Sequence, residues 1–228
     1  MSDELNDYLK EQLSHLTIAL APENTKMKLT KPFADGICMV VAYESTSMPD
    51  KENMDAIEEI LKTTQPDIVF DIALQNTINL HPNVACLPMS ELLESMITGN
   101  RPETHPYNGE HIKNVLSDIT GDINGILNAI AIKYPDSPLA SRIIAYPGMI
   151  KTLEECINVP FVISFLSMHE MLIQPYDDKE TLSALLTIVK ETTKNVDRNK
   201  DFLTDNVYEI KNGKLIPVEL TKEETANG

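Results

Sequence analysis

The chain is poor in the residues that build compact reactive motifs. Of its 228 residues, three are cysteine and eight are glycine. Cys38, Cys86 and Cys156 stand far apart with no C-x-x-C pair, which excludes a zinc ribbon and a thioredoxin-type redox site. Cys38 and Cys86 lie in apolar stretches, where a reduced thiol behaves as a small hydrophobe, so a reducing compartment is expected. The glycines are mostly isolated. No Walker loop, G-x-G-x-x-G or G-x-S-x-G elbow is present, so a phosphate cradle of the usual kind is missing.

Basic residues are scarce too. The 35 acidic and 19 basic side chains leave a formal charge of −16. Phosphate neutralisation by Lys and Arg supplies most non-specific nucleic-acid affinity, so neither nucleic acid nor an anionic membrane is an expected partner. Lys26, Lys28 and Lys31 come closest to a basic cluster. The acidity suits a basic partner, or an inhibitor that mimics nucleic acid, as well as plain solubility. Long apolar runs are also absent: Ile37–Ala42 and Phe161–Leu166 fall far short of the roughly 20 residues of a membrane span. The opening MSDELNDYLKEQL is acidic and has no apolar centre, unlike a signal peptide. A cytoplasmic protein is the expectation.

What is present is patterning. Ser2 is placed to cap a helix whose Leu5, Tyr8, Leu9, Leu13 and Leu16 share one face. Strands are expected at Lys26–Leu29 and Ile37–Ser45 around an Asp35-Gly36 turn, the second apolar on both faces and therefore central in a sheet. Helices follow from Asp50 or Asn53 through Met54, Ile57, Ile60 and Leu61, and from Pro66-Asp67 through Ile68, Ile72, Leu74 and Ile78. Val84–Leu87 reads as a short strand and Ser90–Thr98 as a helix. In the last third come a helix behind Pro147, strands at Phe161–Leu166 and Glu170–Gln174, and a helix capped by Asp178 with Leu182, Leu185, Leu186 and Val189 inward. A hairpin then turns at Asn212-Gly213. The expected architecture is α+β: a mostly antiparallel sheet with helices packed mainly on one face. It spans residues 1–220 as one domain, with 98–109 as the candidate lobe seam and 221–228 as a flexible tail.

Gly121, Gly125 and Ala129 recur at i, i+4 and i+8 in Asp118–Ile132, a stretch that reads as a helix. Glycine inside a helix costs roughly 1 kcal/mol against alanine, so such a stripe suggests close approach of another helix, a partner or a second subunit. These three are the candidate binding residues. Other motifs fail on inspection. Asp197–Asp201 opens like a calcium loop, but Phe202 and Tyr208 stand where its Gly and bidentate Glu belong. Asp118–Asn124 fails likewise, with Ala129 at the twelfth position, and reads as a helix start. His105 and His111, with Glu110, match no familiar metal spacing, so no metal or cofactor is expected. His169-Glu170 lacks the second His of H-E-x-x-H. It remains the best pair for general acid–base work, although a polar pair beside a strand turn is the plainer meaning.

Three blocks carry a family resemblance: Phe70–Thr77 with its A-L-x-N core, the helix and strand pair across Ser141–Gln174, and Asp201–Asp205 running into Val207–Leu215. Together, over about half the chain, they resemble the YtpQ-like family, a widespread group of uncharacterised bacterial proteins. The resemblance implies a mixed α/β fold and no assigned activity. Where such families often carry a Pro-Ser-Arg-Asp-like turn, this chain has Leu166-Ser167-Met168-His169-Glu170, so no functional residue carries over. The expected function is a non-catalytic protein-interaction or regulatory module that binds a protein partner or itself. A hydrolase or transferase with a site built from distant loops, and an acidic nucleic-acid mimic, are the alternatives.

Overall fold

The most apolar run of the chain, Ile37–Tyr43, forms strand β3, and burial on both faces dictates its place. In the computed structural model, which describes residues 3–44, 51–107, 113–114, 116, 129–134, 139–198 and 200–219, β3 is the middle strand of a three-stranded antiparallel sheet. β1 (Leu16–Pro22) lies on one side, with Leu20 opposite Met39. β2 (Thr30–Ala34) lies on the other, and the register slips between Pro32 and Ala34. Proline lacks the N–H a central ladder needs, so Pro32 fits an edge strand at an irregularity. Gly36, at φ +81°, makes the turn into β3.

The remaining strands form a second antiparallel sheet: β4 (Asn83–Pro88), β5 (His105–Pro106), β6 (Ile130–Lys133), β7 (Phe161–Ser167), β8 (Glu170–Pro175), β9 (Val207–Lys211) and β10 (Lys214–Pro217). Their order is β10-β9-β7-β8-β6-β4-β5. The β9–β10 hairpin turns at Asn212 (φ 54°) and Gly213 (φ 71°), the two positive dihedrals of a type I′ turn. The fold is α+β, with its strands divided between two sheets.

Helices cover the outer faces. α1 (Asp3–Ser14), α2 (Lys51–Leu61) and α3 (Pro66–Leu80) pack on the small sheet, where Ile57, Ile60, Val69, Phe70 and Ala73 meet Leu16, Ile18 and Val41. The other face of that sheet joins the large one in the main core, through Ala19, Ala21 and Val40 in one cluster with Ile130, Ile163, Phe165 and Ile173. A 3-10 helix (Ala140–Ala145) and α5 (Met149–Cys156) are built into this core. Behind the large sheet, α6 (Lys179–Thr193) buries Leu182, Leu185 and Val189 against Val162 and Val207. Its N-cap Asp178 accepts the Thr181 N–H at 2.8 Å. α4 (Met89–Thr98) follows β4 directly and ends at Gly99, in the left-handed region.

Several local expectations shift. Leu16 opens β1 instead of closing α1, because pairing with β3 along the whole strand outweighs a helical spacing match. The strand expected at Lys26–Leu29 forms at Thr30–Ala34, next to the turn. Helix α3 presents Val69, Phe70, Ala73 and Thr77 inward and leaves Ile68 47% exposed. The helix expected through Ile132 is instead strand from Ile130 onward, paired with β4 and β8. Ser2, Asp50 and residues 221–228 lie outside the described residues.

Candidate functional site

β1 is an edge strand, and the way its edge is closed builds a dense polar cluster. Ile18 donates its N–H to Thr77 Oγ1 at 2.9 Å, and its carbonyl accepts from Arg142 Nη1 at 3.2 Å. Two residues away, Asn76 donates to the carbonyls of Leu13 and Leu16 at 2.8 and 2.9 Å. Side chains from α3 and the 3-10 helix thus occupy backbone positions that a further strand would otherwise take.

Arg142 has no solvent exposure. Its guanidinium meets the Glu44 carboxylate in a two-pronged contact, Nη1 to Oε2 at 3.0 Å and Nη2 to Oε1 at 2.9 Å. Glu44 follows β3, so this pair joins the small sheet to the segment behind β6. His81 Nε2 reaches Glu44 Oε1 at 2.8 Å, and its ring stacks on Tyr134 with centroids 4.8 Å apart. Tyr134, in turn, lies 5.3 Å from the Arg142 guanidinium and donates to Tyr146 Oη at 2.8 Å. Tyr146 lies within hydrogen-bond reach of the Thr77 and His81 carbonyls, at 3.3 and 3.2 Å. Tyr107 stands edge-on to Tyr146 and donates to the Pro147 carbonyl.

The protonation states of Glu44 and the three phenols are held firmly. Burial alone would raise the Glu44 carboxyl, but hydrogen bonds from His81 and Arg142 and the guanidinium charge outweigh it and hold the group at about 2. Burial pushes the Tyr134 and Tyr107 phenols up to about 12 and Tyr146 higher still. Glu44 therefore stays ionised and the three phenols stay protonated across the neutral range. Such groups cross-link well and exchange protons poorly.

A second feature lies at the turn of the small sheet. A cleft of about 410 Å³ opens between residues 22–24, Gly36 and the 202–206 loop. Tyr208 of β9 donates to the Asp35 carbonyl at 2.7 Å and fixes one sheet against the other there. Burial first, and after it the charges of Asp35 and Asp205, raise the Tyr208 phenol, against the pull of hydrogen bonds from Thr204 and Asn206. Burial and then the charge of Glu23 raise the Cys38 thiol. Two carboxylate residues, Glu23 and Asp205, line the cleft. Beside it, the Arg198 guanidinium stands 4.2 Å from the Phe202 ring centroid and 3.9 Å from Asp205.

Of the residues singled out from sequence, Gly121 and Gly125 lie outside the described residues. Ala129 is buried in the lead-in to β6, where its carbonyl accepts the Met89 N–H at 2.8 Å. His169 sits at the β7–β8 turn, and the carboxylate facing its Nε2 is Asp201, at 3.0 Å, rather than the adjoining Glu170. Asp197 makes a tight turn, its carbonyl taking the N–H groups of Lys200, Asp201 and Phe202. His15 is exposed after α1, His105 lies in β5, and Glu110 and His111 are outside the described residues. Among the described residues no three His, Cys, Asp or Glu side chains gather to hold a metal ion.

The clasp escaped sequence reasoning because its members come from five separate segments. One signal was legible: Arg142 is a lone charge inside Leu139–Ala145, an apolar stretch, and a charge so placed demands a buried partner. Comparison with protein-family models, with curated proteins and with solved structures yields no match. Among the described residues no helix is long and apolar enough to cross a membrane.

Proposed function

We propose that the chain is a non-catalytic protein-interaction module of the cytoplasm whose partner is basic. The observation that carries this reading is the cleft of about 410 Å³, lined by Glu23 and Asp205 on a chain of charge −16. Its size falls in the range of ligand sites, roughly 300–1,000 Å³. The clasp supports the same reading, since its ionised and protonated groups are committed to one another and to backbone. The resemblance to the YtpQ-like family belongs with this proposal and adds no activity to it.

Titration of fluorescent hexa-arginine and hexaglutamate peptides at about 0.15 M salt tests the reading, because attraction between exposed charges more than about 8 Å apart is then largely screened. Saturable binding of the basic peptide alone is expected. Absence of any binding refutes the reading.

A hydrolase or transferase built from distant loops is the second reading, and the His169–Asp201 contact favours it. That reading requires turnover of a simple activated ester that falls to background in His169→Ala. Turnover unchanged by the substitution removes it.

A further inference from the structure

Resting on the reading of the chain as a module for a basic partner, the geometry points to the cleft beside Gly36 as the seat of an arginine side chain from a partner protein, with Arg198, which stands beside the cleft on Phe202 and Asp205, as the chain's own competitor for those two groups. Phe202 and Asp205 both line the cleft, and together they already hold a guanidinium. The Arg198 Cζ lies 4.2 Å from the Phe202 ring centroid, and its Nη2 lies 3.9 Å from Asp205 Oδ2. A flat cation over an aromatic face with a carboxylate at its edge suits guanidinium better than ammonium.

The rest of the cleft completes that chemistry. Glu23 also lines the cleft, and the Asn24 and Asn206 amides offer carbonyl acceptors for the remaining N–H groups. Gly36 keeps the floor open: a Cβ there would stand 3.1 Å from Asn206 Nδ2, and its φ of +81° disfavours any side chain. Among the described residues no lysine lines the cleft, so its lining charges are the carboxylates of Glu23 and Asp205.

Arg198 is easily displaced. Its side chain is 58% exposed, and an exposed pair of this kind contributes little. It lies on the connector between α6 and β9, so it can swing away without disturbing either element. A partner arginine therefore competes with a weak internal contact, and removing Arg198 leaves Phe202 and Asp205 open to the newcomer.

Anisotropy titration of labelled hexa-arginine at about 0.15 M salt reads this directly. Arg198→Ala is expected to tighten binding about two- to five-fold, the value of one exposed cation–π contact. Asp205→Asn and Phe202→Leu are expected to weaken it, with circular dichroism confirming that both variants fold. Lys10→Ala makes the same charge change far along the chain and is expected to leave affinity unaltered. Hexalysine is expected to bind less tightly than hexa-arginine. The assignment is overturned if Arg198→Ala and Lys10→Ala behave alike, or if hexalysine binds as well as hexa-arginine. Either result, with hexa-arginine still bound, leaves the acidic-module reading standing and removes only the cleft. No binding of hexa-arginine to wild type or to Arg198→Ala removes both.

Discussion

Glu44→Ala takes the carboxylate from a guanidinium that has no solvent exposure. Arg142 remains inside, its charge facing Tyr134 and the Ile18 carbonyl. Breaking a buried pair by removing one partner costs about 3–5 kcal/mol. Glu44 is itself 34% exposed, so water can reach the vacated space and the lower end applies, about 3 kcal/mol. For a chain of this length 1 kcal/mol moves the melting temperature by about 2–4 °C, so a fall of about 10 °C is expected. Urea denaturation followed by circular dichroism measures the loss. The midpoint drops, while the slope stays that of wild type if the two sheets still unfold together. Replacing both partners by apolar residues, Glu44→Leu with Arg142→Met, removes the stranded charge and recovers a large part of the loss. A loss below about 1 kcal/mol in Glu44→Ala would show that the clasp is an ordinary surface pair.

The remaining expectations concern the same framework. The Glu44 carboxyl is held at about 2 against an ordinary 4.5, so its contribution is complete above the unfolded value and disappears as pH falls through the folded one. About 2 kcal/mol, discounted for partial exposure, is lost between about pH 5 and 2, and acid titration of Glu44→Gln lacks that portion. Thr77→Val leaves the buried Ile18 N–H without its acceptor and costs about 1–3 kcal/mol by urea denaturation; an unchanged midpoint would refute that role. Gly213→Ala forces a Cβ into the left-handed region at φ 71° and costs about 1–2 kcal/mol on the same measurement. Cys38, Cys86 and Cys156 are all buried, and Cys86 is pushed up to about 12, so aromatic disulfide reagents titrate them only as the chain unfolds. Rapid labelling of the native chain would contradict that burial.

Local physics made much of the architecture readable. Two-sided apolarity put β3 at the centre of its sheet, Asn212-Gly213 announced the closing hairpin, and Asp178 announced α6. Each signal lies within a few residues of what it specifies. Failures came where a distant partner decided. Leu16 matches a helical face, yet β3 claims it as strand. Ile130–Ile132 continue a helical spacing, yet β4 and β8 draw them into a sheet. The α3 face turned because Asn76 and Thr77, polar residues in an apolar helix, are needed to close the edge of β1. The clasp was the least legible feature, since Glu44, His81 and Arg142 are polar residues whose meaning depends on a meeting no local spacing records. At the cleft, Phe202 among acidic neighbours was visible, but its place in one lining with Gly36 and Glu23 was not.

The separation of framework from recognition is tested most directly by measuring hexa-arginine affinity in two isocharged variants, Glu44→Gln and Asp205→Asn, at a temperature where both remain folded. If the clasp holds the sheets together and the cleft captures the arginine, Glu44→Gln binds like wild type and Asp205→Asn binds more weakly. Equal losses in the two, or a loss confined to Glu44→Gln, would contradict the account.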